Sequence, residues 1–320
     1  MKISLITPAG KQSKSGNRTS AVRWARFLRD HGHRVRVAVE YKGEPTDVMV
    51  ALHAWRSAEA AAHYRTLHPG GPLVVALGGT DVNTFLKTDP EPTLRTMDMA
   101  DALVCLHDLI GSALPPRLRP KLQVIRQSAK PLTASRRPRR RDFDVAVIGH
   151  LRAEKDPFRA ALAARQLPAS SRLRVTHLGG AHEESWAKEA RAEMAINPRY
   201  RWLGEMPGWR VCREFARTQL MVISSVQEGG ANVVSESVVA GVPVVASDIA
   251  GNVGLLGPDY PGYYPVGDEA ALARVLTRAE NEPAFLKMLD AACRKLAPQF
   301  LPERESAAWN DVIQRVTVSG

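Results

Sequence analysis

One stretch limits the fold more than any other. Residues 222–247, VISSVQEGGANVVSESVVAGVPVVAS, turn from apolar to polar, pass through paired glycines, and end wholly apolar. Val222 to Ser225 read as the end of a short strand that stops at Gln227 and Glu228. Gly229 and Gly230 allow a tight turn and close approach of a ligand to bare backbone. A helix is expected over 231–240, with Gly241 as its left-handed cap. The run 242–246 reads as a strand buried on both faces, which is the mark of a parallel sheet covered by helices.

A glycine turn that leads from a strand into a helix leaves free N–H groups and the positive end of a helix dipole aimed at one spot. A phosphate fits there. Glu228 lies in the turn and Glu236 lies eight residues on, about two helical turns later, so both carboxylates can lie on one side. Acceptors flanking an anion site suit a ligand that carries both a diphosphate and hydroxyls. The plainer reading is two ordinary glutamates near a helix N-terminus, where negative charge is favoured in any case.

The rest of the chain repeats the strand and helix alternation. Strands are expected at 2–8, 33–40, 47–53, 72–77, 102–106 and 121–125, with helices at 17–31, 57–67 and 93–100. In the first helix Ala21, Trp24, Ala25, Phe27 and Leu28 form the apolar stripe, with Arg23, Arg26 and Arg29 outside it. A second series opens at 142–150 and continues through strands at 173–178 and 200–203 and helices at 157–166, 183–196 and 208–218. Residues 248–252 read as a loop, and helices follow at 268–280, 283–296 and 303–316. The last has Ala307, Ala308, Trp309, Val312, Ile313 and Val316 available for burial. The basic run 135–141, SRRPRRR, reads as a solvated linker.

Ligands of open parallel sheets bind beyond the carboxyl ends of the strands. In the first half that rule selects four loops. Lys11, Lys14, Gly16, Asn17, Arg18 and Thr19 form a candidate anion site at a helix N-terminus. His53 and Arg56 follow a buried strand, Gly78, Gly79, Thr80 and Asp81 follow another, and residues 126–130 end the half. In the second half Arg152 and Lys155 follow the first strand, where they can neutralise charge growing on a diphosphate leaving group.

Composition narrows the class of ligand. A net charge of +11 and a pI near 9.9 favour anions. A nucleic-acid reading lacks an aromatic platform or a recognised binding fold. No apolar run is long enough to span a bilayer, and MKISLITPAGK lacks a signal-peptide core, so a cytoplasmic protein is expected. Cys105, Cys212 and Cys293 form no paired motif and are expected as reduced core thiols.

EGGANVVSE followed by SVVAGVPVVASDIAGN resembles the donor-binding signature of retaining, two-domain glycosyltransferases of the family 4 type. That resemblance implies a GT-B α/β fold, with two Rossmann-like, doubly wound parallel-sheet domains facing a central cleft. It places an acceptor domain at 1–134, a linker at 135–141, a donor domain at 142–298, and a helix returning to the first domain at 299–320. It implies that Glu228 contacts the transferred sugar, and that Glu236 holds the ribose hydroxyls. The backbone at Gly229, Gly230, Ala231, Asn232 and Val233 would face the diphosphate. Arg152 and Lys155 match the family's cation pair, and Gly204 and Met206 would lie near the nucleotide base. The Glu-Gly-Gly-Ala-Asn loop departs from the commoner Glu-Gly-Phe-Gly form.

In the first half, ITPA, SGNRTSAVRWARFLRDHGHRVRVA, VALHAWRS and VVALGGTD are similar to the selenosugar synthases of the selenoneine pathway. The similarity implies transfer of a sugar from UDP-GlcNAc or UDP-glucose to selenophosphate. A carbon–selenium bond forms, and the products are a 1-selenosugar, UDP and phosphate. Gly16, Asn17, Arg18, Thr19, His53, Arg56, Thr80 and Asp81 would bind the acceptor, with no cofactor, metal, nucleic acid or membrane required. Two alternatives stay open: a family 4 glycosyltransferase with a hydroxyl acceptor on a glycan or lipid, and a non-catalytic protein that binds anions or nucleic acid.

Overall fold

The computed structural model describes residues 1–13 and 15–318. It divides into two compact units, one of Met1–Gln127 with Pro302–Gly320 and one of Ser128–Leu301. The first unit holds β1 (Lys2–Ile6), β2 (Arg34–Ala38), β3 (Val48–Leu52), β4 (Leu73–Ala76), β5 (Ala102–Cys105) and β6 (Leu122–Val124). They form one parallel sheet in the order β2-β1-β3-β4-β5-β6. Side chains alternate across it, as the two-residue period of a strand demands. Val48, Val50 and Leu52 join one core, while Met49 and Ala51 join the other.

Helix α1 (Gly16–Asp30) buries its expected stripe of Ala21, Trp24, Ala25, Phe27 and Leu28, and Gly32 turns the chain away at φ +82°. The C-terminal helix Pro302–Val318 lies in the same unit, with Trp309 against Trp24 at a ring distance of 4.5 Å. Its buried face differs from expectation. Ala307 is exposed and Glu305 is buried. The carboxylate takes a hydrogen bond from the Trp24 indole at 2.7 Å and pairs with the Arg23 guanidinium at 2.9 Å. Those partners are what a buried charge requires, and they draw Arg23 inward.

Residues 81–88, beyond the expected Gly78–Asp81 loop, form a π-helical turn Asp81–Phe85 that runs into a helical turn Leu86–Thr88, and the next helix starts at Pro90. Cys212 is exposed, whereas Cys105 and Cys293 are buried thiols.

The second unit holds β7 (Phe143–Ile148), β8 (Leu173–Leu178), β9 (Tyr200–Trp202), β10 (Leu220–Ile223), β11 (Val244–Ser247) and β12 (Tyr263–Tyr264). Its sheet is also parallel throughout, in the order β12-β11-β10-β7-β8-β9. Strand β10 opens two residues ahead of the run at Val222. Ser224 and Ser225 have left it, because their hydroxyls bond the Asp156 carbonyl at 2.8 Å and the Glu228 carboxylate at 2.7 Å. Helix α2 (Asn232–Val239) follows and ends before Gly241, at φ +70°. Residues 248–252, expected as a loop, instead run into α3 (Ala250–Leu256).

The basic run is exposed, as expected, apart from half-buried Arg136, but its backbone is fastened. The amides of Arg137 and Arg139 bond the carbonyls of Ala216 and Arg217, and the Arg136 guanidinium reaches those of Thr218 and Gly241. Each arginine group finds a carbonyl left open at a helix end, which docks the run on the unit it precedes. Among the described residues no helix is long and apolar enough to cross a membrane.

Candidate active site

In the second sheet β8 and β9 lie on one side of β7, while β10, β11 and β12 lie on the other. The winding therefore reverses between β7 and β10, where ligands of such sheets bind at the strands' carboxyl ends. The loops leaving these two strands carry Arg152, Lys155 and Glu228. Arg152 caps a short 3-10 turn, Ala153–Lys155, and Asp156 follows in the left-handed region at φ +43°. The Val226 amide bonds the Glu154 carbonyl at 2.9 Å, which fastens one loop to the other.

This fastening brings the Lys155 ammonium into contact with the Glu228 carboxylate, which also accepts the Ser225 hydroxyl at 2.7 Å. The pair is largely buried, with side-chain exposures of 19% and 11%, so its charges are weakly screened. The Arg152 Nε is buried without a hydrogen bond, 3.8 Å from Glu154 Oε2.

Gly230 sits at φ +125°, a conformation that side chains resist, and delivers the chain to α2. Ala231, the residue capping α2, has no side-chain oxygen, so no side-chain cap bond is made there. Asn232 and Val233 form the first turn of α2. Glu236 is on the exposed face of α2, while Val233, Val234 and Val238 are buried.

Behind Glu228 the packing is tight. A Cβ on Gly251 would lie 2.5 Å from the Glu228 carbonyl oxygen, so only glycine lets α3 approach. Ser247 donates to the Ser225 carbonyl at 2.6 Å, and the Asn252 amide bonds Ser247.

On the other side of β7 a Cβ on Gly179 would fall 1.8 Å from the Gly149 carbonyl oxygen. The Gly179 amide donates to the Gly204 carbonyl at 2.8 Å, and Gly204 has φ +71°. Met206, two residues on, is half-buried. His177 lies fully buried beneath, bonded to the Gly149 carbonyl and the Tyr200 hydroxyl, and burial pushes it down to about 4.

Two residues escaped the sequence reading. His150 is half-buried and shares a small cavity of about 20 Å³ with Lys155 and Ser225. Its ring is 5.7 Å from that of His182, and burial, then the His182 charge, lower its pKa. Ser225 is the other. Their signal was position alone: both stand at or just past the carboxyl end of a strand flanking the reversal.

In the first unit Ser15 caps α1, and Gly16, Asn17, Arg18 and Thr19 form its opening turn. Arg18 and Lys11 line a groove of about 770 Å³ with Arg29, Arg36, Glu40 and Lys42. Lys14 lies outside the described residues.

Beyond β3 and β4, Asp81 is fully buried and accepts the amides of Ala54, Trp55 and Gly78 at 2.8 to 2.9 Å. His53, 1% exposed and at φ +79°, brings Nδ1 within 2.7 Å of Asp81 and Nε2 within 2.7 Å of the Thr80 hydroxyl. The Arg56 amide also donates to Nδ1, at 3.2 Å. His53 and Asp81 are thus taken up in holding the loops, while Arg56 is exposed beside them. In the last loop Arg126 pairs with Asp108, and Gln127 bonds Ser20 at 2.7 Å. Among the described residues no three His, Cys, Asp or Glu side chains converge as a metal-ion site.

Comparison with known proteins gives this geometry a family. The model of the glycosyl transferases group 1 matches residues 132–296, more than half of the chain. The chain belongs to the group 1 glycosyl transferases.

Three solved structures show how far the likeness extends. HepE of Anabaena, in complex with UDP and glucose, is 15% identical, with 98% of this chain and 100% of that one covered at a TM-score of 0.78. Sucrose-phosphate synthase of Thermosynechococcus elongatus is 14% identical over 100% of both chains, at 0.81. A glycosyltransferase of Rickettsia africae is 12% identical over 98% of both chains, at 0.76. At these identities the likeness is one of fold, the two-domain GT-B fold. No curated protein sequence matches the chain.

Proposed function

We propose that this glycosyl transferase takes its sugar from a UDP-sugar, UDP-GlcNAc or UDP-glucose, and passes it to selenophosphate. The observation that carries the donor reading is the Lys155–Glu228 pair beside the glycine turn that opens α2, at the winding reversal of the second sheet. HepE, of the same fold, was solved with UDP-glucose. In this reading the diphosphate caps α2 at Gly229, Gly230, Ala231, Asn232 and Val233. Lys155 then exchanges Glu228 for the diphosphate, Arg152 adds a second cation, and Glu228 turns to the sugar hydroxyls. Glu236 holds the ribose, and the backbone at Gly204 and Met206 meets the base.

The acceptor reading rests on the resemblance of the first half to selenosugar synthases and on the cations at α1. A selenium lone pair attacks the anomeric carbon, the bond from that carbon to the diphosphate oxygen breaks, and UDP leaves with the electron pair. Water then attacks phosphorus, the phosphorus–selenium bond breaks, and inorganic phosphate and the selenol remain. A soft selenium nucleophile needs positioning more than a general base. Gly16, Asn17, Arg18, Thr19, Arg56 and Thr80 supply that positioning, while His53 and Asp81 hold the loops in place.

The test is to incubate the protein with UDP-GlcNAc or UDP-glucose, with and without selenophosphate, and to measure UDP and the sugar product. Selenophosphate-dependent release of UDP with a seleno-sugar product is expected. Release only with alcohol acceptors would replace selenophosphate by a hydroxyl acceptor, and salt-sensitive DNA binding without release would remove the enzyme reading.

A further inference from the structure

We propose that the stacked pair Trp55–Phe85, at the carboxyl ends of β3 and β4, selects an acceptor anion that carries a soft chalcogen, selenium or sulfur, over inorganic phosphate. The inference rests on the selenophosphate reading above and names what that site discriminates.

The two rings lie parallel, 3° apart in plane and 4.0 Å between centroids. Both are half-buried, and neither belongs to the two apolar cores of the first unit. A face-on stack is the less favoured arrangement of two aromatic rings, so something other than ring attraction sets it.

What sets it is the backbone on either side. Asp81 binds the Trp55 amide and its neighbour Ala54, and so fixes where the indole starts. His53 is held at φ +79°, outside the range that residues other than glycine prefer, and its ring meets the edge of Phe85 at 5.6 Å. Phe85 is carried by a π-helical turn, an uncommon geometry that recurs at functional sites. A strained histidine, a buried carboxylate and a π turn together hold one aromatic plate still, beside exposed Arg56 and the Thr80 hydroxyl.

Such a plate next to hydrogen-bond donors separates two anions of nearly equal shape. Their oxygens are served alike by the guanidinium and the hydroxyl. The fourth atom differs. Sulfur and selenium are polarisable and weakly hydrated, and they gain by lying against an aromatic ring, whereas a phosphate oxygen placed there loses water without gaining a partner.

Titration calorimetry of the full chain with thiophosphate and with inorganic phosphate tests this without turnover. The parent protein is expected to bind thiophosphate about two- to tenfold more tightly than phosphate. In Trp55→Ala that ratio should fall to near one with phosphate affinity unchanged, while Trp55→Phe should keep most of it. Phe85→Leu, which keeps apolar volume and removes the ring, should lower the ratio and carries the test if Trp55→Ala does not fold. Equal affinity in the parent, failure of either anion to bind, or a parental ratio in both ring-deleting variants would overturn the proposal. Absence of selenophosphate-dependent UDP release would instead remove the reading beneath it, which the binding ratio does not measure.

Discussion

Replacing Lys155 by alanine separates the two partners proposed for this side chain. In the donor-free protein its ammonium is matched by Glu228 in a pair only 19% and 11% exposed. With an effective dielectric near 20, two charges ~4 Å apart attract by ~4 kcal/mol before desolvation is subtracted. Neighbouring groups of this kind retain a net coupling of ~0.5–3 kcal/mol. A diphosphate in the same place replaces one charge-assisted bond by another worth ~1.5–3 kcal/mol, which is about 10- to 150-fold in a dissociation constant. Less the Glu228 coupling given up in the exchange, Lys155→Ala should raise the Kd of UDP about three- to tenfold by calorimetry, and lower kcat by ~10²–10³ if the cation also stabilises the leaving group. Glu228→Gln should do the reverse to binding. It still accepts the Ser225 hydroxyl but no longer holds the ammonium, so UDP should bind as well as before or more tightly while kcat falls. Parental UDP affinity in Lys155→Ala, or equal weakening in both variants, would refute the exchange of partners.

Other substitutions read other parts of the argument. Gly251→Ala puts a Cβ 2.5 Å from the Glu228 carbonyl oxygen, so α3 and the glycine turn must move apart; UDP affinity should fall more than tenfold, with a lower Tm seen in the same thermal scan. Glu305→Ala leaves the buried Trp24 indole and the Arg23 guanidinium without their acceptor, which costs ~3–5 kcal/mol. Its Tm should drop by about 6–15 °C, with Glu305→Gln losing less because it can still accept from Trp24. Acid should destabilise the fold through His107 and His177, which burial holds down to about 4 from an ordinary 6.5. The unfolded chain binds those protons first. Stability is therefore complete above pH 6.5 and falls by ~1.4 kcal/mol per pH unit for each histidine down to pH 4. Denaturant melts from pH 7 to 4.5 should show this slope, and His107→Gln should reduce it.

Most strands were legible because they are apolar on both faces, and β2, RVRVA, was legible from its two-residue alternation. The glycine turn and the helix end were legible because glycine is what the backbone at Gly230 and Gly241 favours. What was not legible depended on pairings between distant residues. Nothing in the sequence near Glu305 says that Trp24 and Arg23 will make its burial affordable, so an alanine was expected in its place. The run 135–141 is as exposed as it reads, but its fastening through Arg136 to the carbonyls of Thr218 and Gly241 could not be read locally. His150 and Ser225 lie at the site without a motif, because their signal is which strand ends adjoin, and strand order is not written locally.

The two parallel sheets differ in strand order, and they differ in what the loops beyond their strands hold. In the second unit the loops beyond β7 and β10 bring a cation and a carboxylate together ahead of α2. On the donor reading proposed above, a diphosphate exchanges with that pair. In the first unit the acid beyond β4 is spent on three amides and a histidine, so it has nothing left to exchange. Charge that can change partners belongs to chemistry, and charge that cannot belongs to shape. On that ground Asp81→Asn should disturb acceptor binding through the geometry of Trp55 and leave UDP affinity untouched. An equal loss of UDP affinity, measured by the same calorimetry, would show that the division of labour between the two units is wrong.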